Sequence, residues 1–122
     1  HLIQSISILH KNLTTSEEWI NTYIFPHSQL PYDYDYFQFT DGTFIVEDYH
    51  CFGHDYYRTL MAWHKRFQAA WPKLQSSYGE RFYRMWNLYL LLCAGTFKSR
   101  RMNLLQIVMS KDGLEGGYES VR

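Results

Sequence analysis

Glu47, Asp48, His50 and Cys51 crowd two carboxylates, an imidazole and a thiol into one short stretch, and His54 follows three residues on. Imidazole and thiolate together are the donor types of a soft metal site. Gly53 lies between His50 and His54 and argues against one continuous helix, so the spacing does not put both rings on one face. No second ligand pair of firm spacing occurs elsewhere, and ordinary polar turn residues are the plainer reading. Glu47 and Asp48 are adjacent, and neighbours in a strand point to opposite faces, so they do not form an acid–base pair. One is expected to face the sheet end and bond to the turn. Cys93 falls in the apolar run Leu88–Gly95, where a free cysteine usually serves as a small hydrophobe. A nucleophile would need electropositive surroundings that spacing alone does not supply. Gly42, Gly53, Gly79 and Gly95 are isolated, and Gly113, Gly116 and Gly117 lie near the end. None makes a dinucleotide or P-loop pattern, so this chain does not hold the main cradle of a nucleotide-like cofactor.

The elements that position these groups follow from periodicity. Phe44-Ile45-Val46 reads as a buried strand, Glu47–Gly53 as a polar, aromatic turn, and Asp55 as the start of a helix with Tyr56, Leu60, Trp63 and Phe67 on one face. A strand end running into a helix start is where open α/β sheets place their ligand crevices. Leu2–Ile8 predicts an earlier strand, and Lys11–Ser16 a polar turn. Thr15 with Glu18 makes a capping box for a helix carrying Trp19, Ile20, Tyr23 and Ile24, stopped by Pro26. Between His27 and Thr43 the alternation Tyr32-Asp33-Tyr34-Asp35-Tyr36 fits an edge strand, a short helix or an ordered loop. The helix from Asp55 is expected to end near Trp71-Pro72. A second capping box, Ser77 with Glu80, opens another helix to about Lys98. That helix is apolar on nearly all sides from Leu88 to Ala94, which predicts deep burial. Met102–Ser110 reads as a strand covered on both faces, and the residues after it as a loose tail.

A chain of 122 residues with 46% hydrophobic content makes one domain or part of one. Twelve basic and twelve acidic residues cancel, so no global field favours nucleic acid. Two cysteines form no disulfide framework, which suits a reducing, cytoplasmic setting. Arg58, Lys65, Arg66, Arg81, Arg84, Lys98, Arg100 and Arg101 make the two helices basic as well as aromatic. That pattern reads as a solvated face or as one suited to an anionic lipid surface. The opening His1-Leu2-Ile3 is strand-like at once, which suggests a piece of something longer.

Three long motifs carry a family resemblance: WINTYIFPHSQLP, FIVEDYHCFGHDYYRTLMAWHKRFQAAWP and YGERFYRMWNLYLLLCAGTFKSRRMNLLQIVMS. In order and content they resemble the C-terminal part of the cyclopropane-fatty-acyl-phospholipid synthases, over nearly all of Leu2 to Ser110. The resemblance implies the C-terminal part of a class I, Rossmann-like methyltransferase fold: an α/β unit of about three strands, the last antiparallel, with helices packed on them. Positions 1–110 would form the ordered core and 111–122 the tail. It implies transfer of a methylene or methyl group from S-adenosylmethionine to the double bond of an unsaturated phospholipid acyl chain, with bicarbonate as the base. The main cofactor loop would lie outside this segment.

By the same resemblance Tyr56 helps hold the bicarbonate, Ile6 faces that ion through its backbone, and Cys93 matches a cysteine labelled as active-site. Gln4 falls where many members carry a histidine that binds the ion. Glutamine donates and accepts hydrogen bonds but carries no proton charge, which leaves cyclopropanation and methyl branching both open. The implied setting is cytoplasmic and peripheral to the membrane, with homo-oligomers through the open first strand as an option. The rival reading is a non-catalytic lipid-binding or interaction module that keeps only part of the fold.

Overall fold

The computed structural model describes residues 1–9 and 15–121, the side chains of 15–17 excepted. The elements are β1 (Leu2–Ile8), α1 (Thr15–Tyr23), α2 (Asp33–Thr40), β2 (Ile45–Cys51), α3 (Gly53–Lys98) and β3 (Met102–Ser110). The strands form one sheet in the order β1-β3-β2, with β3 antiparallel to both neighbours. The expected three-stranded α/β arrangement is therefore present, and the last strand lies between the other two.

Side chains alternate across a strand, and β3 shows what each face carries. Asn103, Leu105, Ile107 and Met109 are buried on one face. Ile3, Tyr36, Phe44, Val46 and Tyr49 pack around the apolar three, so α2 covers this side. On the other face Met102 joins Leu60, Leu90, Ala94 and Phe97 of α3, with Ile6 and Leu104 against them. The result is helix on sheet on helix. Leu105 and Ile107 are at most 1% exposed. Each such burial stabilises by about 1.5–3 kcal/mol.

Several expectations are corrected. The stretch from Glu47 is not a turn: β2 runs through it to Cys51. Its register slips between Val46 and Asp48, so Glu47 is the extra residue of a bulge, and its carboxylate accepts the Ser110 hydroxyl. The ambiguous tyrosine–aspartate stretch is the helix α2. Asp35 Oδ2 accepts the Tyr32 N–H at 2.8 Å, while Tyr32 O accepts the Asp35 N–H at 3.0 Å. Asp33 and Asp35 also place negative charge in the first turn, where the helix dipole favours it. Ile24 lies beyond the end of α1. The polar turn from Lys11, residues 10–14, and the Thr15 cap side chain lie outside the described residues.

The long helix also departs from expectation. It starts at Gly53, where an added Cβ would come within 3.0 Å of Asn103 Oδ1. It runs through Pro72 and breaks at Gly79, whose φ of 72° and ψ of 167° suit glycine alone. Pro72 removes one intrahelical hydrogen bond. Packing of Trp71 and Phe67 on Tyr83, with ring centroids 4.8 and 5.6 Å apart, holds the turn regardless. Ser77 is consequently inside the first limb and caps nothing. Limbs 53–78 and 80–98 fold back antiparallel, as Tyr56 on Phe97 and His64 on Asn87 show. The second limb is not buried all round: Leu90, Ala94 and Phe97 are, but Leu88 and Leu91 are 46% and 40% exposed. Trp63, expected on the buried face of the first limb, is also exposed.

Candidate active site

One face of the sheet and three helical segments enclose a cavity of about 630 Å³. Ile6 of β1 and Met102 of β3 form its floor. Tyr56 and Leu60 come from the first limb of α3, and Tyr89, Cys93 and Phe97 from the second. Ile20 and Asn21 of α1, with Phe25, Ser28, Gln29, Leu30 and Tyr32 of the segment that follows, close the remaining side. Among the described residues none that lines it carries a formal charge. Five are aromatic, so the walls present π faces rather than ions.

Tyr56 is set by its place one turn into α3, where its N–H donates to Phe52 O at 2.9 Å. Its ring meets Phe97 edge-on with centroids 4.8 Å apart. Its hydroxyl has no hydrogen-bond partner among the described residues. Burial, and then the neighbouring Cys93, push its pKa up, so the phenol stays protonated and is a donor at neutral pH. Cys93 and Tyr89 lie one helical turn apart, with the phenol beside the thiol. Burial raises Cys93 to about 11 against a small opposing effect from the Tyr89 hydrogen bond. Tyr89 is itself raised to about 12, first by burial and then by Cys93. A thiol held neutral in this way is a poor nucleophile.

The edge of β1 supplies the other polar groups. Met109 N–H donates to His1 O, and Leu9 N–H to Arg101 O. These bonds fix the odd-numbered residues as those facing β3. Gln4 and Ile6 therefore turn their backbone groups to the outer edge, where the next even residue, Ile8, donates its N–H to Pro31 O at 2.9 Å. Gln4 lies outside the cavity lining, two residues along the same face from Ile6. Its Oε1 accepts Gln106 Nε2 at 2.7 Å. That leaves the Gln4 amide nitrogen as a donor. Tyr56 O–H, Ile6 N–H and Gln4 Nε2 are thus all donors, the chemistry a small oxyanion requires.

A model of the mycolic acid cyclopropane synthetase family matches residues 1–107. The chain belongs to that family. It is 47% identical over 106 residues to the cyclopropane-fatty-acyl-phospholipid synthase of Escherichia coli K12, covering 87% of this chain and 28% of that protein. A synthase sequence from Citrobacter freundii is 49% identical over 83 residues, 68% of this chain and 92% of that sequence. Among solved structures, mycolic acid cyclopropane synthase CmaA1, complexed with SAH and CTAB, superposes with a TM-score of 0.76 at 25% identity, over 90% of this chain and 43% of that one. The chain therefore spans about a quarter of the Escherichia coli relative.

Within this family member the expected site residues divide in two. Tyr56, Cys93 and Ile6 converge on one cavity, while Gln4 stands beside it. The stretch that first suggested metal chemistry does not assemble. Cys51 Sγ accepts Asn103 Nδ2 at 3.1 Å, and His50 lies against Phe52. Among the described residues no three His, Cys, Asp or Glu side chains converge as metal ligands. Reading the sequence missed Tyr89 and the wall from Phe25 to Tyr32. Tyr89 was findable as the residue one turn before Cys93. The wall has no periodicity to betray it, although part of it lies in the quoted motif WINTYIFPHSQLP.

Proposed function

We propose that this chain is the acyl-pocket portion of an S-adenosylmethionine-dependent lipid methyltransferase of the cyclopropane-fatty-acyl-phospholipid synthase type. The reaction adds a methylene or methyl group to the double bond of an unsaturated phospholipid acyl chain. One observation carries this reading: a large cavity lined by rings that, among the described residues, has no charged wall and holds a phenol without a hydrogen-bond partner. Its size is that of a ligand site, and its walls suit an apolar chain. Positive charge on that chain would face π systems, which favour it, rather than repelling cations.

When bound, S-adenosylmethionine supplies an electrophilic methyl carbon. No strand–glycine loop–helix occurs among the described residues, so its seat is assigned to sequence outside this chain. The donor set fits bicarbonate better: Tyr56 O–H, Ile6 N–H and Gln4 Nε2 would hold the ion that takes up the proton. Residues of this chain exclude water, orient the acyl chain and fix the proton on Tyr56. Cys93 is a wall residue in this scheme. Positions 1–110 act as one folded unit and 111–122 as a tail. The outer edge of β1 before Ile6 is where further sheet, from the same enzyme or a second copy, would add. No helix of the described residues is long and apolar enough to cross a membrane. In this reading the contact with lipid is peripheral, from the cytoplasmic side.

The test uses the intact enzyme and labelled methyl transfer into lipid. Tyr56→Phe is expected to lower turnover by about ten- to a hundredfold with little change in S-adenosylmethionine affinity. Unchanged turnover would remove Tyr56 from the mechanism.

A further inference from the structure

On the opposite side of α1 from the cavity lies a second, open groove. Trp19 and Tyr23 face it, whereas Ile20 and Asn21, one and two residues from them, face the cavity. The second limb of α3 supplies the other wall with Arg81, Arg84, Tyr83 and Leu88. We propose that this groove seats the phosphate of an anionic phospholipid at a bilayer surface, next to the cavity for its acyl chain. The proposal rests on the lipid-modifying reading and names the headgroup contact of that substrate.

Three observations support it. Arg81 and Arg84 are one turn apart on one helix side, and neither has a carboxylate within ion-pairing distance among the described residues. Two guanidinium forks side by side match phosphate geometry. Glu80 also borders the groove, so the described lining residues are net positive by one charge rather than two. Next, Trp19 and Tyr23 combine apolar rings with polar tips, the side chains that settle at the boundary of water and hydrocarbon. Finally, the helix strip that begins with the arginines continues through Leu88 and Leu91, which are exposed although apolar. Cations followed by exposed leucines on one face describe a helix lying at a lipid interface. Phe25 links the two sites: it is 51% exposed, and its ring meets Tyr89 in the cavity wall with centroids 6.1 Å apart.

The experiment is co-sedimentation of the intact enzyme with vesicles of phosphatidylglycerol or of phosphatidylcholine at low salt. Binding should favour phosphatidylglycerol and weaken as salt rises. Arg81→Gln with Arg84→Gln should weaken phosphatidylglycerol binding by about tenfold or more. The paired lysine variants, which keep the charge, should stay within about threefold of the parent. Parent-like binding by the glutamine pair overturns the proposal. On the unsubstituted enzyme, vesicles with a quencher at the headgroup should dim an emission component that Trp19→Phe removes. Equal quenching with and without Trp19 also overturns it. Tyr56→Phe separates the two readings: it should bind vesicles like the parent while losing turnover. Parent-like turnover in that variant counts against the proposed chemistry and leaves the groove standing.

Discussion

Gln106 Nε2 donates to Gln4 Oε1 at 2.7 Å across the β1–β3 register, where the two residues are directly paired. This bond orients the Gln4 carboxamide with its acceptor occupied and its N–H groups outward. Gln4→Glu separates the structural role from the functional one. The carboxylate still accepts from Gln106, so stability in urea should change by no more than about 1 kcal/mol. It presents no N–H and adds negative charge beside the proposed anion site. Turnover of the intact enzyme should fall by about tenfold or more, with a rise in the bicarbonate needed for half-maximal rate. Parent-like kinetics would place Gln4 outside the site.

Cys93 gives a prediction about pH. Its thiol is raised by burial to about 11, above the value near 9 of an unfolded thiol. The folded chain therefore keeps its proton where the unfolded chain has lost it. The stability this contributes is fully present below pH 9 and disappears as pH rises from 9 to 11. In a Cys51→Ser background, which removes the exposed thiol, iodoacetamide should label Cys93 about a hundredfold more slowly at pH 8 than a free thiol. The labelling rate should climb until about pH 11. A plateau near pH 8 would show a thiolate and restore the nucleophile reading.

What the sequence disclosed followed the physics of each signal. Met102–Ser110 was legible as a nearly continuous apolar run, and Leu2–Ile8 as a short isoleucine-rich segment of strand-favouring composition. The segment Asp33–Thr40 was not, because Tyr-Asp alternation has a strand period, while the outcome turned on Asp35 reaching back to Tyr32. Pro72 does not end the helix, since ring packing across the two limbs outweighs one lost hydrogen bond. Leu88 and Leu91 look like core by composition, and only the antiparallel return of the helix decides which side faces the sheet. Tyr56, Cys93 and Ile6 come from elements far apart in the chain, so no spacing pattern joins them. The family resemblance named them, and the fold brings them to one cavity.

Asp33 clamps three elements together. Ser7 Oγ, fully buried on β1, donates to Asp33 Oδ1, and Tyr49 O–H of β2 donates to Asp33 Oδ2 at 3.0 Å. Burial first, and then the Asp33 charge, push the Tyr49 phenol far up, which keeps it a donor. Asp33→Ala strands a buried hydroxyl and a half-buried phenol, and should cost about 2–4 kcal/mol in urea unfolding. Asp33→Asn retains an acceptor and should cost about half as much. Because Asp33 follows Tyr32 in the cavity wall, the alanine variant should also raise KM for lipid more than it lowers kcat. A loss under about 0.5 kcal/mol would show that the clamp contributes nothing net.

Gly79 tests the hinge between the limbs. Its φ of 72° with ψ of 167° lies where an L side chain is strained, yet an added Cβ would meet nothing within 4 Å. Any cost of Gly79→Ala is therefore backbone strain alone, expected at about 1–3 kcal/mol. Gly95 is the matched control, since it is also free of contacts but lies inside the helix without positive φ. Gly95→Ala should stabilise by up to about 1 kcal/mol through helix propensity. Opposite signs from two glycines of the same helix, measured by urea unfolding of the intact enzyme, would locate the turn at Gly79. A stabilising Gly79→Ala would mean the chain runs straight there, and the two limbs could not then close on the cavity together.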